Sequence, residues 1–272
     1  MIDSFNNILT SITDLSLYPF RGVPKLWGLL FLSVVSGVLL LLCYGVISNQ
    51  NGIRNIKRKI VAALFESVLY RHDLRICLAA QLRMLVGAAV YFAYAVPPII
   101  VLMIPCLLML AQFNLRYETD GLKVGEPALV RVKVDNEAYL DTISLTTSEN
   151  VDITPRLRVL EDNEVIWRIT PQDQNSIALE VSDGKNTYPQ SVTVDNATEA
   201  KIPAKQLKSP YVAVLYPGQA LIPAESPISE IVIEYPSVSY KFCGIKWHWL
   251  VLFFVVSVLS GLLASKVFGI AV

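Results

Sequence analysis

Histidine is nearly missing from this chain, with two in 272 residues, His72 and His248. Long apolar runs separate them, so they cannot share a metal site, and neither Cys-x-x-Cys nor His-Glu-x-x-His spacing occurs. A serine hydrolase needs a base within hydrogen-bond reach of its nucleophile. Residues 114–246 contain no histidine to serve as one. Glycine-rich phosphate loops are also absent. The carboxylates Glu161, Asp162 and Glu164 cluster, but in a segment with hairpin-turn chemistry, where acids are solvated. The expectation is a protein that is not an enzyme, with no cofactor, no metal and no small-molecule substrate.

Cysteine is scarce as well. Cys43, Cys77, Cys106 and Cys243 are spread so that no two share a soluble compartment. An exported domain would exploit an oxidising compartment for disulfides, yet here only Cys243 is available to it. Such a domain must stand on its hydrophobic core, which is feasible at the size of residues 114–246. Cys43 reads as a packing residue. It follows Leu42, where a lipoprotein signal needs a small residue, so that signal is not expected. Residues 1–25 carry Asp3 and Asp14 and are too long and acidic for a cleavable leader, so the first apolar run is expected to stay as a signal anchor.

Charge is what three long stretches lack. Although 17% of the residues are charged and 53% hydrophobic, the runs at 26–48, 84–113 and 247–272 are nearly free of charge over the ~20 residues a bilayer span requires. A run such as Leu250-Val251-Leu252-Phe253-Phe254-Val255-Val256 has none of the polar positions of an amphipathic core helix. Three transmembrane helices are expected.

The net charge of zero conceals a sorting by loop. Residues 49–83 carry Arg54, Lys57, Arg58, Lys59, Arg71, Arg75 and Arg83 against Glu66 and Asp73, whereas acids such as Glu118, Asp120, Glu126 and Asp135 open the segment after the second run. Short basic loops stay cytoplasmic because positive charge resists translocation. That places the N-terminus and residues 114–246 outside and the C-terminus inside, as in a bacterial inner membrane protein. The same cations are positioned to meet anionic lipid at ~1 kcal/mol each, or simply to set orientation.

Periodicity supplies the rest. Ile2, Phe5, Ile8, Leu9, Ile12 and Leu15 recur at helical spacing with polar residues opposite, an amphipathic helix that lies in the outer interface or packs on the exported domain. Residues 49–83 read as two helices broken near Tyr70-Arg71-His72-Asp73. The second apolar run exceeds one bilayer thickness and contains Pro97, Pro98 and Pro105, which predicts a kinked or tilted span or, alternatively, a re-entrant turn at Pro97-Pro98. From residue 114 the period becomes two, as in Val130, Val132 and Val134 against Arg131 and Lys133. Further strands are expected at 143–147, 156–160, 165–169, 177–181, 191–194, 212–215 and 231–235, with turns at Glu161-Asp162-Asn163 and Asp183-Gly184. The predicted fold class is an α+β membrane protein: three transmembrane helices plus an extracytoplasmic immunoglobulin-like β-sandwich. Trp247 and Trp249 are expected as interfacial aromatics at the last span. Asn196-Ala197-Thr198 fits a glycosylation acceptor if the source is eukaryotic.

Few polar residues interrupt the spans. Ser33 with Gly37, and Ser257, Gly261 and Ser265, repeat every four residues, the pattern of helix faces that pack closely. Lys266 is placed to snorkel to the cytoplasmic interface, while Gln112 and Asn114 mark the outer end of the second run.

An outward first span, a basic helical cytoplasmic loop, a second span, an exported segment and an inward third span together resemble the three-span core of the YidC/Oxa insertase superfamily. The likeness covers about half the chain and lies in topology; the first span has no arginine and the hairpin is short. It implies a helical hairpin and a groove that help hydrophobic segments enter the membrane. The residues themselves point first to a non-enzymatic membrane subunit or scaffold that binds partners through its β-sandwich and transmembrane helices. Expected partners are membrane lipid and other membrane or extracytoplasmic proteins, with no nucleic acid.

Overall fold

The computed structural model describes residues 2–20, 22–147, 151–173, 176–194, 201–242 and 244–270, with the backbone alone for 2–5. The sequence Asn196-Ala197-Thr198 and Cys243 fall outside these residues. The chain divides into two compact units, Met1–Leu29 with Leu108–Leu252, and Leu30–Leu107 with Phe253–Val272. Six helices and eleven strands are described. In chain order they are α1 (Ile2–Leu17), α2 (Lys25–Ile47), α3 (Gln50–Leu69), α4 (Leu74–Tyr117), β1 (Ala128–Val134), β2 (Ser144–Thr147), β3 (Val151–Ile153), β4 (Leu157–Val159), β5 (Glu164–Pro171), β6 (Ile177–Ser182), β7 (Thr187–Val192), β8 (Lys205–Leu207), α5 (Pro210–Ala213), β9 (Ile228–Ile233), β10 (Ser239–Phe242), β11 (Ile245–His248) and α6 (Trp249–Phe268).

Three helices, α2, α4 and α6, are long and apolar enough to cross a membrane. The largest difference from expectation is α4, whose 44 residues join the second arm of the basic loop to the second apolar run without a break. Residues 74–96 contain no proline, serine, threonine, asparagine or aspartate, and the single Gly87 is packed against Ile60 within the helix. Pro97, Pro98 and Pro105 lie inside it. Interior prolines each cost a hydrogen bond and crowd the preceding turn, yet the helix runs through all three, so the alternative of a re-entrant turn at Pro97-Pro98 is not adopted. The break before α4 falls where turn residues cluster. Asp73 accepts from the Arg75 and Ile76 backbone N–H groups at 2.9 and 3.4 Å, and Asn49 caps α3 by accepting from Gly52 N–H at 3.0 Å.

The strands form two main antiparallel sheets. One has the order β3-β5-β1-β9-β8, with β4 also paired to β5; the other is β2-β6-β7. Strand β1 is central, with Val130 opposite Trp167 on one side and Ile233 on the other. Its alternation buries Val130, Val132 and Val134 while Arg131 and Lys133 face outward. Inward residues of both sheets share cores. Val132, Val165, Trp167 and Ile231 pack with Val181 and Tyr188, and Val130, Ile169 and Ile233 pack with Leu179 and Val192. The turn before β5 places Asn163 at φ 54°, and the turn between β6 and β7 places Gly184 at φ 87°.

Several expected elements shift. Residues 212–215 are not a strand. Pro210 starts the helical turn α5, because proline is pre-organised for the first helical position. The strand expected at 191–194 begins earlier, at Thr187, and carries Pro189; among the described residues β7 is the end strand beside β6, and an edge strand tolerates the missing donor. The hairpin β10-β11 takes up Trp247 and His248, so the last apolar helix starts at Trp249.

Candidate functional site

Within the helical unit, α3 and α4 pack through small and aliphatic residues. Ile53 and Ala63 are buried on α3 and Ala80 on α4. A side chain at Gly87 would come within 2.7 Å of Ile60 Cγ1, and the Ser67 hydroxyl lies 3.5 Å from Cys77 Sγ. Arg83 Nη1 donates to Glu66 Oε2 at 2.8 Å, bordering a groove of ≈ 530 Å³ lined by Ile56, Lys59, Ala63, Leu82, Val86 and Val90. The Lys57 ammonium sits 5.6 Å from the Tyr91 ring centroid. Arg54 donates to the Gly269 carbonyl. Arg58, Arg71 and Arg75 are exposed.

The outward faces of this hairpin are apolar. Leu74, Leu78, Leu82 and Leu85 follow one another at helical spacing along α4 and are 76, 63, 62 and 69% exposed. Phe65, Val68 and Leu69 are comparably uncovered on α3. Only the structure shows which residues the α3–α4 seam leaves uncovered.

The pairing of α2 with α6 brings Ser33, Gly37, Ser257 and Gly261 together. Ser33 is fully buried and Ser257 nearly so. A Cβ on Gly37 would lie 2.2 Å from the Ser257 carbonyl oxygen, and one on Gly261 would lie 3.4 Å from the Gly37 carbonyl. The backbones therefore approach as closely as small residues permit. Ser265 does not extend this seam with the same burial; it is half-buried, and its hydroxyl donates to Leu262 C=O at 2.7 Å. Ser36 and Ser260 were not singled out by spacing. Ser36 is 1% exposed and Ser260 donates to Val34 C=O at 3.4 Å across the two helices.

In the other unit Arg116 is the hub that sequence reading missed. Its guanidinium is 6% exposed and donates to Asp14 Oδ1 at 2.7 Å, to Thr10 C=O at 3.3 Å, and to Gln112 at its backbone and side-chain oxygens. Thr10 Oγ1 also donates to Gln112 Oε1 at 3.1 Å, and Lys201 pairs with Asp14. Burial opposes the charge on Asp14, but Arg116 and Lys201 outweigh it and hold the carboxyl below its usual range. The available signal was one arginine a helical turn beyond Gln112, just past the apolar run.

Asn114 lines a groove of ≈ 490 Å³ with Glu118, Lys205, Tyr216 and Glu234, while Gln112 is buried instead. Lys25 pairs with Asp120 at 2.7 Å. Trp249 is 3% exposed and donates its indole N–H to Glu118, so its ring faces protein. Trp247 is half-buried and donates to Phe242 C=O at 3.2 Å. Tyr18 and Trp27, by contrast, turn their aromatic rings outward.

Among the described residues no three of His, Cys, Asp and Glu gather as metal ligands, and Cys43, Cys77 and Cys106 are free thiols. Searches among protein families, characterised proteins and solved structures found no match to this chain. Its class is stated by architecture: mixed helix and antiparallel sheet with three helices apolar enough to span a membrane.

Proposed function

We propose that the chain is a non-enzymatic integral membrane protein that binds other polypeptides, anchored by α2, α4 and α6. Its β unit is an extracytoplasmic immunoglobulin-like module, and the α3–α4 hairpin and C-terminus are cytoplasmic. The sorting of basic and acidic residues supports the orientation, and two antiparallel sheets around shared cores support the module.

The observation that carries the binding role is the uncovered stripe Leu74, Leu78, Leu82 and Leu85. A contiguous apolar face of this size marks an interaction site. Arg75 and Arg83 flank it, and residues 74–83 precede the second apolar run. The occupant is an apolar segment of another polypeptide, which is the particular role that the YidC/Oxa likeness implies. A partner bound through the β unit is the second reading. It is favoured by Tyr211 at the turn α5, which is 87% exposed beside Val212 and Leu215.

Photo-crosslinkers at Leu78 and Leu82 of the full chain in native membranes test the first reading. Adducts to polypeptides with apolar segments are expected, and crosslinks to lipid alone would refute it. Neutralising Arg54, Lys57, Arg58 and Lys59 should weaken this capture, provided labelling of an Asp183→Cys variant from outside shows that topology is kept. Joining Asn114 to Lys246 through a flexible linker separates the readings: loss of a stable complex favours the β unit, and retention favours the hairpin.

A further inference from the structure

Helix α1 is inside out for a helix in water. Asn6, the Thr10 hydroxyl and Asp14 face protein, while Ile8, Ile12 and Leu15 are 60, 57 and 76% exposed. Asp14 is the only charged residue from Asn6 to Leu17, and it turns inward to Arg116 and Lys201. The outward face thus carries Ile8, Ile12 and Leu15 with the uncharged Asn7, Ser11 and Ser16. Removing three large aliphatic side chains from water is favourable, so in water alone the helix would be expected to roll its apolar face inward. The Arg116 latch holds the opposite orientation.

The position of α1 along the apolar helices identifies what covers it. Thr10 and Asp14 meet α4 at Gln112 and Arg116, which bracket the end of the apolar run at Phe113. Leu17 meets α2 at Gly28, in its first turn, where an added Cβ would lie 3.2 Å from Leu17 Cδ2. Both contacts lie at helix ends, the depth at which a span leaves hydrocarbon. Tyr18 and Trp27, 63 and 57% exposed, continue the outward surface with the amphipathic rings that favour head-group level.

We infer that α1 is a membrane-surface helix, latched by its polar face to Arg116 and seated by Ile8, Ile12 and Leu15 in the outer head-group region of the bilayer. The inference rests on the membrane-spanning reading of α2, α4 and α6. A helix seated this way buries its apolar face about 5–10 Å into the boundary between head groups and acyl chains. It fixes the depth of the second span through Arg116 and that of the first through Gly28.

Spin labels at Ile12→Cys, Leu15→Cys, Leu259→Cys and Lys185→Cys test it in the full chain with its four native cysteines replaced, reconstituted in phosphatidylcholine–phosphatidylglycerol vesicles. Collision with molecular oxygen reports lipid, and collision with a nickel chelate reports water. Labels at 12 and 15 should show an oxygen-to-nickel ratio several-fold above that at 185. Nickel access at 12 and 15 would overturn the inference by placing the face in water. Protection from both reagents would overturn it by placing a partner span or a second copy there. The label at 259, on an exposed face of α6, separates the two failures. If it reports lipid while 12 and 15 do not, only α1 is misassigned; if it too reports water, the spanning reading falls with the inference.

Discussion

The β unit and the helical unit use the same side chains in opposite ways. In the sheets, Val130, Val132, Val165, Ile169, Leu179 and Val181 are fully buried. In the most apolar part of α4 only 11% of residues are buried, and the corresponding shares for α2 and α6 are 33 and 17%. The first pattern is assembled against water, where each buried aliphatic group contributes by leaving solvent. The second gains nothing from turning leucine inward unless the surroundings are polar. It is held instead by close backbone approach at Gly37 and by a few hydrogen bonds. The difference teaches that mutations should cost most where atoms are enclosed, whatever the hydrophobicity of the residue.

The sharpest test of that contrast is Trp167→Ala, which empties the shared core and should destabilise the β unit by about 3–5 kcal/mol. Pulse proteolysis of the full chain in denaturant reads the change, and Leu259→Ala, on an exposed face of α6, should leave that reading unaltered.

Gly37→Ala comes next. The new methyl would meet the Ser257 carbonyl, a backbone atom, so overpacking of about 1–3 kcal/mol is expected. Gly87→Ala meets only the Ile60 side chain, which can rotate, and should cost less. Thermal unfolding in one detergent ranks the two, and an equal cost would break the assignment of the α2–α6 seam as the tighter one.

A smaller effect concerns α1. Because the folded state holds the Asp14 carboxyl below its usual 3.8, docking is stabilised at pH above that value and is lost as pH falls through the lower, folded value. A spin label at Ile12 should gain mobility only below pH 3.8. Burial likewise opposes the charge on Asp183, but the N–H groups of Asn186 and Lys185 and the Tyr188 hydroxyl hold its carboxyl below 3.8 as well. The Asp14→Asn variant distinguishes them, since it should remove the change at Ile12 alone.

The smallest effect is expected for Arg131→Ala on the outer face of β1. Its partner Glu234 lies at 2.5 Å, but both side chains are more than 40% exposed, so the pair contributes less than about 1 kcal/mol. A larger loss would show that this face is covered in the native assembly.

How much was legible depended on whether a signal was local. The three apolar helices, the helix break at residues 70–73, the alternation of β1 and the turns at Asn163 and Gly184 follow from composition, period and turn chemistry, all of which act within a few residues. The continuity of α4 across residue 84 was not legible, because polarity changes there while the helix runs on. Residues 212–215 were expected as a strand because apolar content outweighed the proline that starts α5.

The sequence by itself determined where apolar runs lie, where helices can start, and which strand face turns inward, because backbone propensity and side-chain period are properties of neighbours in the chain. Only the tertiary structure decided that Asp14 meets Arg116, 102 residues away, and that α1 is turned apolar side out. It likewise decided that the α3–α4 seam leaves Leu74, Leu78, Leu82 and Leu85 uncovered, and that Trp249 is spent on Glu118. A charge pair between distant residues leaves no periodic trace in the sequence. Which face of an amphipathic helix is covered depends on what stands opposite it, and that is set by the packing of the chain as a whole.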